Sequence, residues 1–140
     1  MKQILILIIL IISVGCSDQF QDELVIYQDL SSYKSLYYEE GLKRYEDFEY
    51  PSTELRITNL RYPDHFRTTD GKVLIDRDWF QWHSDTEREI LIFREITRSA
   101  YGVEYGEGLM SKDFLEVSVY ETDREGILDD LFRIIAEHFK

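Results

Sequence analysis

Apolar residues recur at the spacing of an amphipathic helix near both ends of the chain. Over about residues 29–45 they follow one another at intervals of three and four positions, which predicts a helix. The shared face holds Leu30, Tyr33, Tyr37 and Gly41. A second helix is predicted to begin at Thr122-Asp123-Arg124-Glu125, which has the form of a capping box. Its predicted buried side holds Ile127, Leu128, Leu131, Ile134, Ile135 and Phe139.

The segment over residues 84–101 predicts a helix that is apolar around most of its circumference. Ser84-Asp85-Thr86-Glu87 has the form of a capping box, with serine at the N-cap and glutamate three residues later. The apolar residues that follow are Ile90, Leu91, Ile92, Phe93 and Ile96, and Gly102 ends the pattern. Such a helix packs in the centre of a domain rather than on its surface.

Alternation of apolar and polar residues predicts short strands between the helices. Thr53–Leu60 indicates a half-buried strand, and Lys72–Asp76 follows the strong turn signal Asp70-Gly71. We expect these two strands to pair. A further alternation over residues 115–119 predicts another strand or extended stretch. The resulting order of helix, strands, central helix, extended segment and helix predicts the α+β class.

The first fifteen residues have the features of a targeting segment. Lys2 precedes an unbroken aliphatic stretch, Ile4–Ile12, and small residues lead to Cys16. These features are typical of a secretory signal peptide, and the stretch is shorter than the roughly 18–20 residues that span a bilayer. Gly15-Cys16 at this junction resembles a bacterial lipobox, in which the cysteine is lipidated and becomes the mature N-terminus. We therefore expect a signal peptide over residues 1–15, lipidated Cys16 and a tether over 16–28, and a domain over 29–140.

Lipidation of Cys16 would attach the chain to a lipid bilayer, so the expected location is the bacterial cell envelope. Ser17 follows the cysteine, and in lipoproteins of this kind a residue other than aspartate there favours the outer membrane. Cys16 is the only cysteine, so it forms no internal disulfide and no thiolate zinc site.

The chain is strongly acidic, with 16 Lys+Arg against 28 Asp+Glu and a formal net charge of −12. Loss of Lys2 with the signal peptide makes the mature charge 15 − 28 = −13. Surfaces that bind nucleic acid need lysine and arginine to release counterions from phosphates, so no nucleic-acid partner is expected. At 140 residues, one domain is the expected count.

Several motifs occur in an order that resembles one family. The matching segments are Leu36–Arg44, Val73–Asp76 with Trp79, Arg88-Glu89 with Phe93, Leu109–Ser111 and Ile127–Phe132. Together they resemble the small zincin-like metallopeptidase lipoproteins of bacteria, in which an I-x-I-D strand and a tryptophan precede an R-E-x-x-x-F-H-E-L-G-H helix. The resemblance spans most of residues 30–135. It implies a zincin-like fold, with a small sheet, an N-terminal helix, a central buried helix over about 84–101 and a C-terminal helix.

The metal-binding motif of that family is altered in this chain. Where the family has H-E-x-x-H, the sequence reads Arg94-Glu95-Ile96-Thr97-Arg98. Positions 94 and 98 lie one turn apart on one helix face, which is why two histidines there can bind one zinc ion. A guanidinium group has no lone pair to donate and stays protonated. By the resemblance, Glu95 keeps the position of the general base, Glu104 that of the third ligand, and Met110 lies in the turn below the site.

Loss of two of three metal ligands predicts an inactive metallopeptidase-like protein. Zinc lowers the pKa of a bound water from far above neutrality to about 7. Without the metal, the difference between the pKa of this water and the pKa of a carboxyl group in a model peptide grows from about 3 to about 11 units. We therefore expect no cofactor, and a role in binding an unknown protein or peptide or in structure. The alternative is a divergent zinc metallopeptidase with a rearranged ligand set, in which His83 acts with Glu95 or Glu104.

Arg94 and Arg98 have three possible roles. They could form an ion-pair cluster with Glu95 or Glu104, bind a carboxylate ligand, or be an ordinary solvated pair. The three histidines share no ligand spacing and are expected at surface or capping positions: His65, His83 and His138.

Overall fold

A three-stranded mixed sheet and five α-helices make up residues 30–138, the part of the chain that this computed structural model describes. Helix α1 covers residues 30–44. The strands are β1 (Glu54–Thr58), β2 (Phe66–Thr69) and β3 (Lys72–Asp76). The remaining helices are α2 (Arg77–Trp82), α3 (Asp85–Tyr101), α4 (Val117–Thr122) and α5 (Arg124–His138), with a 3-10 turn at Gly108–Met110. The α+β class is confirmed. The predicted signal peptide, lipidated Cys16 and tether lie outside the described residues, as does Phe139.

The sheet has β3 at its centre. Strand β1 pairs with β3 in parallel, with Leu55 opposite Val73, so the predicted pairing is confirmed. Strand β2 pairs with β3 in antiparallel orientation and was not predicted. The Asp70-Gly71 turn joins these two strands, and Gly71 has a φ of 73°, a conformation that glycine adopts without strain.

Helix α3 is the central helix that the sequence predicts. The Ser84 hydroxyl accepts a hydrogen bond from the Glu87 amide, and the Glu87 carboxylate accepts one from the Ser84 amide, which confirms the capping box. Gly102 ends the helix in a left-handed conformation, with a φ of 67°. An unbroken run over residues 90–97 is buried, so this helix carries polar groups as well as apolar ones into the interior.

Helix α1 is anchored to the core by Tyr37. Its ring is fully buried and lies 5.1 Å from the ring of Phe93 and 5.2 Å from that of Phe132, measured between centroids. Its hydroxyl lies 2.9 Å from the Thr97 hydroxyl. One tyrosine therefore joins α1, α3 and α5.

The strand or extended stretch predicted over residues 115–119 is wrong from Val117 onward, because Val117 begins helix α4. Val117 and Tyr120 are three positions apart, and both lie on the inner side, whereas Val119 is exposed. The Tyr120 ring is buried, and its hydroxyl donates to the Glu89 carboxylate at 2.7 Å. Burial of this large ring against α3 outweighs the strand propensity of the valines.

The start of α5 is one residue later than the predicted capping box. Thr122 closes α4, where its hydroxyl donates to the Ser118 carbonyl, whereas the Asp123 carboxylate accepts from the Gly126 amide at 3.3 Å. Aspartate is therefore the capping residue. The predicted buried side of the helix is confirmed by Leu128, Leu131 and Ile135.

Candidate functional site

Three side chains donate hydrogen bonds to the Glu95 carboxylate. Arg94 Nε lies 2.9 Å from Oε1, and Arg98 Nη1 lies 2.8 Å from Oε2. The Thr68 hydroxyl also donates to Oε2. Glu95 is only 1% exposed, so its charge depends on these partners.

The local structure explains how the two arginines reach one carboxylate. Arg98 follows Glu95 by three positions on α3, which places the two side chains on neighbouring parts of one helix face. Arg94 also donates through Nη1 to the Ser111 carbonyl, just after the 3-10 turn, at 3.1 Å. Thr68 comes from β2. The group Thr68, Arg94, Glu95 and Arg98, called the arginine cluster below, therefore ties α3 to the sheet and to the loop after α3.

Tyr105 contacts both arginines of the arginine cluster on its solvent-facing side. Its hydroxyl accepts a hydrogen bond from Arg98 Nη1 at 2.8 Å, and the Arg98 guanidinium carbon lies 4.0 Å from its ring centroid. The guanidinium of Arg94 lies 5.5 Å from the same centroid. Contacts between a cation and a ring face at these distances are attractive.

Of the three predicted roles for Arg94 and Arg98, the geometry matches the ion-pair cluster, with Glu95 as its centre. Glu104, which the resemblance gave as the expected third ligand, is exposed and forms no ion pair with the described residues. Met110 is buried in the 3-10 turn, next to the Ser111 carbonyl that accepts from Arg94. Thr68 was not identified from the sequence, because it lies 27 residues from Glu95 on an unpredicted strand.

The arginine cluster forms one side of an open cleft of about 360 Å³. The apolar part of the lining includes Phe66, Trp79, Leu91, Tyr105 and Phe114, and the polar part includes Asp64, His65 and Lys112. The sequence did not point to this cleft, because its lining comes from four separate segments of the chain.

The donor set of the cleft does not fit a zinc ion. Guanidinium groups cannot coordinate metal, and Glu95 is already bound by three donors. Within residues 30–138 there is no group of three His, Cys, Asp or Glu side chains that could hold a metal ion.

The rearranged zinc site, in which His83 would act with Glu95 or Glu104, does not form in this structure, because His83 lies in a different cavity from Glu95. His83 Nδ1 lies 2.7 Å from the Trp79 carbonyl oxygen, and its ring stacks on the Trp79 ring with centroids 4.2 Å apart. It lines an adjoining cavity of about 300 Å³ that does not include Glu95. His65 is exposed at the edge of both cavities, and His138 is the last residue of α5.

A second buried charged group lies on α1. Glu40 is 1% exposed and accepts from Lys43 at 2.7 Å, from Arg44 at 2.9 Å and from Arg124 at 3.2 Å. Burial raises the pKa of the Glu40 carboxyl, but the hydrogen bonds from Lys43 and Arg44 and the charge of Arg124 outweigh it, so the pKa is lowered. Lys43 and Arg44 follow Glu40 by three and four positions on α1, so the sequence could have indicated these two partners. Arg124 is distant in sequence and could not have been identified in this way.

Comparison with known proteins found no matching family model, no matching curated protein and no matching solved structure. In the part of the chain that the structure describes, every helix is too short or too polar to cross a membrane.

Proposed function

We propose that this chain is a lipoprotein of the bacterial cell envelope whose zincin-like domain does not hydrolyse peptides and acts by binding or as a structural component. The lipobox-like Gly15-Cys16 supports the anchor, and the outer membrane is the proposed location. The ordered motifs from Leu36 to Phe132 support a zincin-like ancestry. No cofactor is part of this proposal.

The observation that carries the proposal is that three side chains already donate hydrogen bonds to the Glu95 carboxylate. A general base needs an oxygen within hydrogen-bond reach of the water that it deprotonates. A carboxylate offers about four acceptor positions, and Arg94, Arg98 and Thr68 take three of them. Two of the three donors are cations at positions where a metallopeptidase would have zinc ligands. The cluster therefore favours a role in holding the cleft together over activation of water.

Restoring both histidines tests the ancestry of the cleft. The double variant Arg94→His/Arg98→His removes the two cations and frees Glu95, while Glu104 remains available on the following loop. We expect this variant to bind about one zinc ion per chain after dialysis, as measured by elemental analysis, and the unmodified chain to bind none. Circular dichroism establishes that the variant is folded. A folded variant that takes up no zinc would contradict a metal-binding ancestry for this cleft.

A further inference from the structure

The cleft beside the arginine cluster is positively charged although the chain is acidic. Arg94, Arg98 and Lys112 contribute three positive charges to its lining, against two negative charges from Asp64 and Glu95. The net charge is therefore +1 with neutral histidine, in a chain with a net charge of −12. Asp64 is further neutralised by Arg67, at 3.3 Å. A cleft whose lining carries an excess of one sign of charge attracts ligands of the opposite sign.

Several hydrogen-bond donors of this cleft have no acceptor among residues 30–138. Arg94 uses Nε and Nη1, and Arg98 uses Nη1 alone. Among residues 30–138, no acceptor is bound by Arg94 Nη2 or by Nε and Nη2 of Arg98. Lys112 is exposed and forms no ion pair with any carboxylate in the same part of the chain. Glu95 alone therefore does not use all the hydrogen-bond donors of Arg94, Arg98 and Lys112.

Exposed aromatic side chains lie beside these donors. Tyr105 and Phe114 line the cleft and are 40% and 45% exposed. Tyr62 and Trp82 line the adjoining cavity, so four of the five exposed aromatic side chains in the described residues are on this side of the domain. Clustered exposed apolar surface is typical of binding sites. The aromatic groups supply an apolar contact next to the cationic one.

We propose that the cleft binds the carboxylate of a small apolar acid, such as the C-terminal carboxylate of a peptide that ends in an apolar residue. The carboxylate accepts from the free N–H groups of Arg94 and Arg98 and from the Lys112 ammonium group. The apolar part packs against Tyr105 and Phe114. A net charge of +1 and the presence of Asp64 favour a monoanion over a phosphate dianion. This inference rests on the proposed binding role and specifies its ligand.

The test compares an acid with its amide. The full chain in detergent is titrated with N-acetyl-L-phenylalanine, with N-acetyl-L-phenylalaninamide and with inorganic phosphate, and binding is followed by NMR shifts of backbone amides. We expect saturable binding of the acid, with shifts at Tyr105 and Phe114, and about tenfold weaker binding of the amide, since charge-assisted hydrogen bonds are the stronger ones. Lys112→Gln should weaken acid binding about three- to tenfold, whereas the control Lys72→Gln on β3 should leave it unchanged.

Four results would overturn the inference. They are no saturable binding of the acid, equal binding of acid and amide, tighter binding of inorganic phosphate than of the acid, and equal effects of the two lysine variants. Lys112 is exposed, and the Lys72 side chain is 37% exposed with Glu54 as its ion-pair partner at 3.4 Å, so both variants are expected to fold. A failure here is separable from a failure of the proposed function: EDTA-sensitive peptide hydrolysis would overturn the proposed function whether or not the acid binds.

Discussion

Arg98 Nη1 lies 2.8 Å from Glu95 Oε2, so these two residues, three positions apart on α3, form an ion pair. Arg94 donates through Nε to the other oxygen of the same carboxylate, at 2.9 Å. The two arginines therefore share one buried carboxylate in the wall of the cleft. Under the proposed zincin-like ancestry, they also stand where the two histidine ligands would be.

Replacing Glu95 tests how much the domain depends on this pairing. In Glu95→Gln the two guanidinium groups lose their shared counter-charge, and Arg94 is only 11% exposed at its side chain. We expect the free energy of unfolding to fall by about 2–3 kcal/mol, since removing one partner leaves a buried charge unpaired. Urea denaturation measures the change. Glu104→Gln, in an exposed position on the next loop, should change it by less than about 0.5 kcal/mol. If the two variants lowered the free energy of unfolding equally, the proposed stabilisation by Glu95 in the arginine cluster would be wrong.

The buried carboxylate of Glu40 predicts a loss of stability in acid. Its pKa is lowered in the folded chain, so its contribution is fully present above the unfolded pKa of about 4.3 and is lost as the pH falls through the folded value. Glu40→Gln should lower the free energy of unfolding by about 3 kcal/mol at pH 7. The difference from the unmodified chain should shrink as the pH falls below about 4.

The control for Glu40 is its exposed neighbour Glu39 on the same helix. Glu39→Gln should change the free energy of unfolding by less than about 0.5 kcal/mol at pH 7. Denaturation curves collected between pH 3 and pH 7 give both comparisons. A Glu40→Gln deficit that stayed constant over this range would show that the carboxylate charge does not provide the stabilisation.

Replacing Gly41 by alanine is expected to destabilise helix α1, because Phe48 lies close to this position. A Cβ atom at this position would lie 2.2 Å from Phe48 Cδ1. Alanine in a helix is otherwise favoured over glycine by about 1 kcal/mol, but here we expect Gly41→Ala to lower the free energy of unfolding by about 1–3 kcal/mol through overpacking. Thermal and urea denaturation measure the change.

The same close contact provides its own control through a double-mutant cycle. In a Phe48→Ala background the ring is absent, so adding Gly41→Ala should have no cost or should stabilise the helix. If Gly41→Ala destabilised both backgrounds equally, the close approach to Phe48 would not be its cause.

Local patterns predicted the parts of the fold that depend on neighbouring residues. The capping box at Ser84 and the stop at Gly102 bound α3 correctly, and the alternation around Leu55 and Val73 identified two paired strands. A similar alternation predicted an extended segment at Val117, but Val117 begins a helix in which Tyr120 contacts Glu89 on α3. Local propensity is weaker than burial in such short segments.

The candidate site was predicted only where it lies on a single element. Arg94, Glu95 and Arg98 share α3, so their spacing showed that they could interact. Thr68 comes from β2, a strand of four residues that carries little periodic signal. Lys112 and Phe114 lie on loops after α3, and the sequence does not fix where such loops pack. Contacts between distant segments depend on the folded topology, which local patterns do not specify.

The metal content and peptidase activity of the unmodified chain test the central claim most directly. Purified protein is dialysed against zinc, analysed for bound metal, and assayed on a library of quenched fluorescent peptides with and without EDTA. Because guanidinium groups cannot coordinate zinc and Glu95 is bound by both Arg94 and Arg98, we predict no stoichiometric zinc and no EDTA-sensitive hydrolysis. One zinc ion per chain that is lost with EDTA together with peptide cleavage would contradict the account.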